Sequence, residues 1–341
     1  MNNFAKLFLA MISMSVAAGP AAAQTESGFQ QYLKTLRAQS KNAGVSDRTL
    51  DQVIPTLTYN ARVVRFDRQQ PGGKPNSAIP PFAPYQRRHV DRARINGGRT
   101  KYRQYYSQLK AVERKSGVPA SILVAIWGHE TNYGAITGNF DMPRSLASLA
   151  YEGRRRALFS TEFVATLKMM DRGIPRSTLK GSWAGATGYT QFLPSVYLRL
   201  AKDGDGDGRA DIWRSTPDAM ASIANYFVNA GWRTGVPWGV AVNVPANLSR
   251  VAIRNHTKSP RCNRVHDRHS SWKTMAEWRR LGIRPRAGSF PSNNIMATLL
   301  EPDGPGKTAY LLTSNYRVIL DYNCSNFYAL SVGLLADEVK R

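Results

Sequence analysis

Acidic residues are scarce in this sequence. Its 341 residues include 23 Asp and Glu against 47 Lys and Arg, which gives a formal net charge of +24. Arginine accounts for 33 of the 47 basic residues and can make planar, bidentate contacts with carboxylates and phosphates. The charge therefore predicts anionic partners, but it does not by itself separate nucleic acids, membrane surfaces and acidic cell-wall polymers.

Glycine and proline are not enriched either. The chain has 27 Gly and 19 Pro, and 42% of its residues are hydrophobic. These ordinary values exclude wholesale disorder and a collagen-like or low-complexity architecture. A single hydrophobic core is near its limit at this length, so we expect two or three packed lobes of about 100–200 residues each.

A long apolar run is missing as well. The apolar stretch at residues 7–18 is shorter than the ~20 residues that cross a bilayer. It lies between Lys6 and the small residues 21–23, an arrangement typical of a secretory signal peptide. We therefore expect residues 1–23 to direct export and to be cleaved near Ala23, although a buried N-terminal helix is an alternative. Export makes nucleic acid a poor candidate partner.

Cysteine is nearly absent. Cys262 and Cys324, the only two, lie far from the expected cleavage point, which excludes a lipid anchor on an N-terminal cysteine. Export permits a disulfide between them, and the alternative is two buried free thiols. We therefore expect an exported chain without a membrane anchor.

Composition divides the exported chain into segments. Residues 24–104 combine short helices with an extended connector at 70–84, where five prolines and two adjacent glycines disfavour a helix. A mostly helical pattern, broken by glycine-rich turns, fills residues 105–235. These residues are therefore expected to form a helical core.

The pattern changes after residue 235. Alternating segments at 240–244, 310–312 and 316–320 predict short strands, so residues 236–320 are expected to form a small β lobe. Residues 321–341 return to a helical pattern.

One predicted helix carries a carboxylate on its apolar face. Within residues 117–134, Pro119 suits a first turn and Gly134 a C-terminal cap, and Glu130 follows Ile126 by four residues on the apolar stripe. Poor hydration and the negative end of the helix dipole would both raise its pKa, as a general acid near neutral pH requires. The alternative is a glutamate paired with one of the many arginines.

A second segment favours close approach of a bulky ligand to the backbone. Residues 180–197 combine glycines, aromatic side chains and polar groups in a turn that leads into an apolar helix. Ser182 and Gln191 could hold a neighbouring carboxylate or amide. A glycine-rich packing turn is the alternative.

A third segment has the acid spacing of a calcium-binding loop. Asp203, Asp205 and Asp207 alternate, and a glycine stands where an EF-hand loop bends. Three alternating carboxylates repel one another unless a cation lies between them. Position twelve, normally a bidentate Glu, is Arg214 here, so Asp218 would close the site only in a longer loop. A solvated acidic turn is the alternative.

These segments, in this order, resemble the membrane-bound lytic murein transglycosylase B family in its soluble periplasmic form. The matching motifs are IWGHETNYG at 126–134, GSWAGATGYTQFLPS at 181–195, the Asp-rich loop, SIANYF at 222–227 and DYNCSNFYALSVG at 321–333. The resemblance implies an α+β, mainly helical fold. A lysozyme-like core would carry a helical flank, in which residues 24–104 pack with 321–341, and a small antiparallel β lobe inserted before the C-terminal segment returns to the groove.

The resemblance also implies roles for particular residues. Glu130 matches the single catalytic acid/base of the family. The calcium site would use Asp203, Asp205, Asp207, Asp218 and the carbonyl of Arg209. Aromatic, basic and polar side chains would bind the substrate: Tyr85, Arg155, Arg156, Ser182, Gln191, Phe192, Tyr226, Tyr322, Asn323 and Tyr328. Ordinary core packing is the alternative for the tyrosines.

The activity implied is cleavage of the β-1,4 bond between N-acetylmuramic acid and N-acetylglucosamine in peptidoglycan without consumption of water. Glu130 would protonate the bridging oxygen and then remove the proton of the muramoyl C6 hydroxyl, which closes a 1,6-anhydro ring. Catalysis would need no cofactor, and calcium would be structural. The protein would be a periplasmic monomer that binds glycan strands, with other cell-wall enzymes as further candidate partners.

Two other functions fit the same residues. A hydrolytic muramidase usually needs a second carboxyl group, and neither of the first two motifs contains one. A catalytically inactive peptidoglycan-binding or scaffold protein would not need Glu130. The arginine-rich charge fits all three functions, because peptidoglycan carries lactyl and peptide carboxylates.

Overall fold

A computed structural model describes residues 25–70, 79–259 and 261–341. The signal peptide expected over residues 1–23 lies outside the described residues, as do residues 71–78 of the predicted connector. Across the described ranges, none of the helices combines the length and the apolar character that crossing a bilayer requires.

The described chain is mainly helical with a small antiparallel β lobe, as the sequence predicts, and it has a further two-stranded antiparallel sheet that the sequence did not predict. The helices are α1 (Glu26–Asn42), α2 (Asp47–Val53), α3 (Ala61–Gln69), α4 (Phe82–His89), α5 (Arg92–Gln104), α6 (Tyr106–Ser116), α7 (Ala120–Thr131), α8 (Met142–Glu152), α9 (Arg156–Asp171), α10 (Pro194–Leu200), α11 (Thr216–Asn229), α12 (Asn263–His266), α13 (Met275–Arg280), α14 (Ser314–Tyr322) and α15 (Asn326–Val339). The strands are β1 (Phe140–Asp141), β2 (Lys180–Gly181), β3 (Gly239–Asn243), β4 (Lys273–Thr274), β5 (Arg284–Pro285), β6 (Met296–Leu300) and β7 (Ala309–Leu312).

A first helical core joins the N-terminal helices to the middle of the chain. Phe29, Leu33 and Leu50 of α1 and α2 pack with Leu146 of α8 and Phe163 of α9. Each of these side chains contributes about 1.5–3 kcal/mol when fully buried. The α1–α3 segment is therefore held by α8 and α9.

A second core surrounds α7, which is buried on every face from Ala120 to Gly128. A helix that is hydrophobic all round needs neighbours on all sides, and here α5, α6, α11 and α15 supply them. Gly98 lets two of these neighbours, α5 and α15, approach each other, because a Cβ there would lie 2.5 Å from Val339 of α15. This packing fixes the last turn of α7, where Glu130 lies.

The β lobe contains a five-stranded antiparallel sheet in the order β4-β6-β7-β3-β5. The central strands β3 and β7 coincide with the predicted segments at 240–244 and 310–312, and Ala241 pairs with Tyr310. Trp278 of α13 is fully buried in the core beneath this sheet.

Two sequence-based assignments are wrong. Residues 316–320 belong to α14 instead of a strand. Their alternating pattern misled because α14 is buried on several sides, so that Tyr316, Ile319 and Leu320 all lie in the second core. Residues 82–84 of the predicted connector form the first turn of α4, where a proline is tolerated because the first N–H groups of a helix have no partner within it.

Residues 24–104 also divide between the two cores. The helices α1–α3 pack on α8 and α9, whereas α4 and α5 contact α15. The expected packing of 24–104 with 321–341 therefore applies only to α4 and α5.

Candidate active site

Glu130 lies in the last turn of α7, where the chain leaves the helix abruptly. Asn132, Tyr133 and Gly134 have left-handed backbones, with φ of 49°, 59° and 90°. For the two residues that are not glycine, this conformation costs on the order of 1–2 kcal/mol each, and the packing around α7 must offset it. The chain thus turns away from the helix axis just beyond Glu130, and the Glu130 side chain stays partly exposed.

The environment of Glu130 favours its protonated form. Burial raises the pKa of Glu130 to about 7, against a hydrogen bond from Tyr328 that lowers it. The Tyr328 hydroxyl donates this bond to Oε1 over 2.6 Å. No Lys or Arg of the described residues forms an ion pair with Glu130, so the arginine-paired alternative does not apply. A carboxylic acid with this pKa can both donate and accept a proton near neutral pH.

Three tyrosines from separate helices surround this acid. Burial raises the pKa of Tyr85, Tyr322 and Tyr328, and the charge of Glu130 raises each of them further. They come from α4, α14 and α15 respectively. The fold therefore brings Tyr85, which precedes Glu130 in the sequence, and the C-terminal segment, which follows it, to the same site.

An aromatic cluster adjoins these tyrosines. The ring centroids of Tyr226 and Tyr322 are 4.8 Å apart, and Phe192 lies 5.9 Å from Tyr226 and 6.0 Å from Tyr322. Tyr322 donates its hydroxyl to the Thr190 carbonyl over 2.5 Å, and Tyr226 donates to the Asp321 carbonyl over 2.8 Å. These bonds hold both rings in fixed orientations. Asn323 follows at the end of α14 and is exposed.

The second motif forms a tight turn next to the loop that follows α7. Gln191 has a left-handed backbone, with φ of 49°, and its Nε2 donates to the carbonyls of Thr137 and Gly188 over 3.1 and 3.0 Å. Ser182 accepts the Ala186 N–H at its hydroxyl over 3.0 Å. Gln191 thus links the two loops, while Ser182 stabilises its own turn.

The expected arginine pair is engaged within the first helical core. Arg155 and Arg154 form ion pairs with Asp67, and Arg156 donates to the Ala150 carbonyl over 3.1 Å. Burial alone would raise the pKa of Asp67, but the two arginines hold it below its usual range. A fully buried carboxylate needs such partners. Arg155 stays half-buried and Arg156 exposed, so both keep N–H groups at the surface, and their role in binding substrate stays a prediction.

A second carboxylate does not accompany Glu130. In the described chain, the acids nearest along the sequence are engaged elsewhere: Asp141 with Arg176, Glu113 with Lys110, Glu152 with Arg68 and Glu162 with Ser195. Residues 1–24, 71–78 and 260, which the structure does not describe, contain neither Asp nor Glu. Among the described residues, no other carboxylate contributes to the raised pKa of Glu130, whereas most glycosidases place two carboxyl groups at the site.

Three carboxylates of the Asp-rich loop converge. Asp203, Asp205 and Asp218 place oxygen atoms within 4.8 Å of one another. Asp218 is fully buried, and its pKa is raised by burial and by the charge of Asp205. Asp207 instead accepts the Arg209 N–H over 2.8 Å. A buried acid among like charges suits a hard cation with oxygen ligands, so these residues fit calcium.

Cys262 and Cys324 form a disulfide, with Cα atoms 5.3 Å apart. It joins the start of α12 to the loop between α14 and α15. Next to it, Arg261 pairs with Asp321 over 2.8 Å. The β lobe is thereby linked covalently to the segment that carries Tyr322 and Asn323.

The sequence did not predict a group of packed histidine and tyrosine rings next to Glu130. His129 lies 5.7 Å from the Tyr328 ring and 6.2 Å from His89, which stacks on Tyr85 at 3.7 Å. Burial lowers the pKa of His129 to about 3, so this ring is neutral. His129 is one step round the helix from Glu130. Its contact with Tyr328 depends on α15, which lies far along the chain.

A glutamate whose pKa is raised by burial, on a mainly helical α+β scaffold, is characteristic of lysozyme-like enzymes that cut glycan strands. Residues 28–337 match the transglycosylase SLT domain family, and the chain belongs to this family. It is 30% identical over 316 residues to the membrane-bound lytic murein transglycosylase B of Escherichia coli strain K12, covering 92% of this chain and 79% of that protein.

Solved structures of lytic transglycosylases share the fold. SltB3 from Pseudomonas aeruginosa, in complex with NAG-anhNAM-pentapeptide, is 38% identical with a TM-score of 0.81, and the match covers 92% of this chain and 79% of that chain. The Escherichia coli lytic transglycosylase Slt35, in complex with calcium, is 28% identical with a TM-score of 0.71 and 93% of both chains covered. The expected enzyme class and lysozyme-like fold are therefore confirmed.

Proposed function

We propose that this enzyme cleaves the β-1,4 bond between N-acetylmuramic acid and N-acetylglucosamine without water and leaves 1,6-anhydro ends. The observation that carries the proposal is the single acid at position 130, with its pKa raised by burial to about 7. A hydrolase with two carboxyl groups would need a second one within about 5–9.5 Å. The substrate itself can replace that second group.

Glu130 acts first as an acid and then as a base. Its protonated carboxyl gives the proton to the bridging oxygen, and the bond from that oxygen to muramoyl C1 breaks while the 2-acetamido group assists. The resulting carboxylate removes the proton of the C6 hydroxyl as O6 bonds to C1. The proton returns to Glu130, so the enzyme is regenerated without water.

The surrounding residues would bind and orient the sugars. Tyr226, Tyr322 and Phe192 offer ring faces to sugar rings, and Tyr85 and Tyr328 flank the acid. Tyr328 stabilises the carboxylate formed in the first step, because its hydroxyl donates to Oε1. Ser182, Gln191 and Asn323 are proposed to supply polar contacts to the acetamido groups.

The mass of the products tests this proposal. Purified sacculi digested with the enzyme should release muropeptides with anhydro ends, each one water lighter than the product of a hydrolase. Reducing ends would show a hydrolytic muramidase instead. Absence of any product, from protein that binds sacculi, would favour the inactive binding or scaffold protein.

The pH dependence should respond to Tyr328. Because the first step needs protonated Glu130, kcat/KM should fall as the pH rises above about 7. Tyr328→Phe removes a hydrogen bond that favours the carboxylate form of Glu130, so the pKa of Glu130 should rise. The pH at which kcat/KM begins to fall should then increase by about one pH unit. Tyr316→Phe is the matched control, since that buried hydroxyl bonds to Asn326. If the pH dependence of kcat/KM in Tyr328→Phe is the same as in wild type, the Tyr328 hydroxyl does not tune the pKa of Glu130.

Calcium is proposed to be structural, with Asp203, Asp205, Asp207, Asp218 and the carbonyl of Arg209 as its ligands; three of these carboxylates, from Asp203, Asp205 and Asp218, converge in the structure. When bound, it would neutralise the three converging carboxylates. Calcium added to metal-free protein should raise the melting temperature by several degrees, and Asp205→Asn should abolish the increase. Asp47→Asn should keep it, because this carboxylate pairs with Lys41 outside the loop. An increase that survives Asp205→Asn would place the ion elsewhere.

The remaining proposals concern location and partners. We propose that the chain is exported to the periplasm and acts there as a monomer on glycan strands, with other cell-wall enzymes as candidate partners. The positive charge of +24 supports binding to an anionic polymer.

A further inference from the structure

A buried histidine joins the β lobe to the helix that carries Tyr328. His269 lies in the loop after α12, is 2% exposed and has a hydrogen bond at each ring nitrogen. Nδ1 lies 3.0 Å from the Thr298 hydroxyl of β6, and Nε2 lies 2.9 Å from Oδ1 of Asn326, the first residue of α15. The ring therefore bridges the sheet of the β lobe and the second helical core.

The surrounding bonds fix which atoms of this bridge donate. Asn326 donates through Nδ2 to the Val265 carbonyl over 3.1 Å, so its Oδ1 is the atom that faces His269. Because an amide oxygen only accepts, His269 donates through its Nε2–H. In a neutral imidazole the other nitrogen then accepts, here from the Thr298 hydroxyl. Each donor thus meets an acceptor, and the two side chains are held in one orientation.

The His269 ring is neutral near neutral pH. Burial lowers its pKa to about 4; the hydrogen bond with Asn326 opposes this shift, and the charge of Arg268 adds to it. The rings of His266 and Tyr316 face it from α12 and α14, with centroids at 5.9 and 5.8 Å. The bridge therefore keeps the same hydrogen bonds over the pH range in which Glu130 would titrate.

The bridge ends two residues before Tyr328. In the first turn of α15, the Ser325 hydroxyl accepts the Tyr328 N–H over 3.3 Å, and the Tyr328 hydroxyl donates to Glu130 over 2.6 Å. A shift of this turn would therefore move the hydroxyl that bonds to the acid. Tyr316 also donates to Oδ1 of Asn326, over 3.0 Å, but it does so from within the second core, so its bond does not reach the β lobe.

We propose that His269 is a positioning residue for the proton transfers of Glu130, and that it acts through Asn326 and Tyr328. It holds the first turn of α15 against the β lobe and so keeps the Tyr328 hydroxyl on the carboxyl group of Glu130. The inference rests on the proposed function and adds a role for the β lobe. The lobe, residues 236–320, supplies none of the side chains proposed above to bind sugar; instead it supports the helix that carries the partner of the acid.

Two variants of His269 that differ by one methylene group test this role. In His269→Gln the amide nitrogen can take the place of Nε2 and donate to Asn326, whereas the shorter side chain of His269→Asn reaches only as far as Nδ1. His269→Asn should therefore raise the pH at which kcat/KM begins to fall by about half a unit, because a weaker bond from Tyr328 raises the pKa of Glu130. His269→Gln should restore the wild-type pH dependence.

A double variant separates positioning from a loss of stability. Both substitutions of His269 remove a packed ring and should lower the melting temperature, but a lower melting temperature does not by itself shift a pH dependence. If His269 acts through Tyr328, adding His269→Asn to Tyr328→Phe should cause no further shift. The tyrosines that also face the acid, Tyr85 and Tyr322, are unchanged throughout. His266→Asn, the same change three positions away, is the matched control and should leave the pH dependence as in wild type.

The outcomes are distinct. An unchanged pH dependence in His269→Asn, equal shifts in His269→Asn and His269→Gln, or additive shifts in the double variant would overturn the positioning role. If His269→Asn does not fold, Asn326→Ser removes the same bond from the side of α15, and its pH dependence decides in the same way. Wild-type protein that releases no anhydro ends from sacculi would instead refute the proposed function. Anhydro ends together with unshifted variants would refute only the role of His269.

Discussion

Glu130→Gln is expected to lower the release of anhydro muropeptides from sacculi by about 10⁴-fold. One well-placed acid or base contributes about 10²–10⁴ to a rate, and here the same carboxyl performs both proton transfers. The amide has nearly the same shape and can still accept the hydrogen bond from Tyr328. The loss should therefore appear in kcat, measured by quantifying muropeptides over time, with binding to sacculi retained.

A matched control is Glu338→Gln on α15, whose carboxylate pairs with Arg341 at the surface. This change should leave the rate within about twofold. Residual activity of Glu130→Gln above one-tenth of wild type would show that another group supplies the proton.

The same variant should reveal the raised pKa of Glu130 through stability. Burial places this pKa at about 7 in the folded protein, above the ordinary value of 4.5. The folded state therefore binds the proton more tightly, and the associated stability is present below pH 4.5 and lost as the pH rises through 7. Glu130→Gln lacks this loss, so its stability relative to wild type should increase between pH 5 and pH 8.

Removing the disulfide is expected to destabilise the protein by about 4 kcal/mol. The estimate follows from the 62-residue separation of Cys262 and Cys324, because a crosslink across a loop of that size removes this much chain entropy from the unfolded state. Cys262→Ser/Cys324→Ser should show the loss in denaturant unfolding. Activity should fall as well, since Tyr322 and Asn323 directly precede Cys324.

Arg261→Gln separates the covalent link from the neighbouring ion pair. Arg261 is 65% exposed and pairs with Asp321, and an exposed pair of this kind contributes only about 0–1 kcal/mol. The disulfide is therefore expected to contribute more stability than the ion pair. A large loss of unfolding free energy in Arg261→Gln, or a small loss in the double cysteine variant, would contradict this. Adding a reductant should lower the stability of the wild-type protein to that of the double variant. The reductant should not change the stability of the double variant itself.

The sequence predicted the acid because its environment is local. Glu130 lies on an apolar helix that stops within two residues, and both features can be recognised from residues 117–134. The hydrogen bond from Tyr328 spans 198 positions, so helical periodicity carries no information about it. Only resemblance to a family placed that tyrosine in the groove.

The features that the sequence did not predict also depend on contacts between residues far apart in the chain. The ion pair of Arg155 with Asp67, a buried residue more than eighty positions earlier in the chain, is one contact that helical periodicity does not predict. Residues 316–320 alternate like a strand, yet α14 is covered on several sides and so tolerates apolar residues at strand spacing.

The pKa of Glu130 in the free enzyme tests the account most directly. Carboxyl-labelled glutamate allows a carbon NMR titration, with Glu130→Gln identifying the signal by its absence. A midpoint near 7 is predicted, because burial outweighs the hydrogen bond from Tyr328. A midpoint near the ordinary 4.5 would leave Glu130 ionised at neutral pH, and a single glutamate could not then supply the first proton.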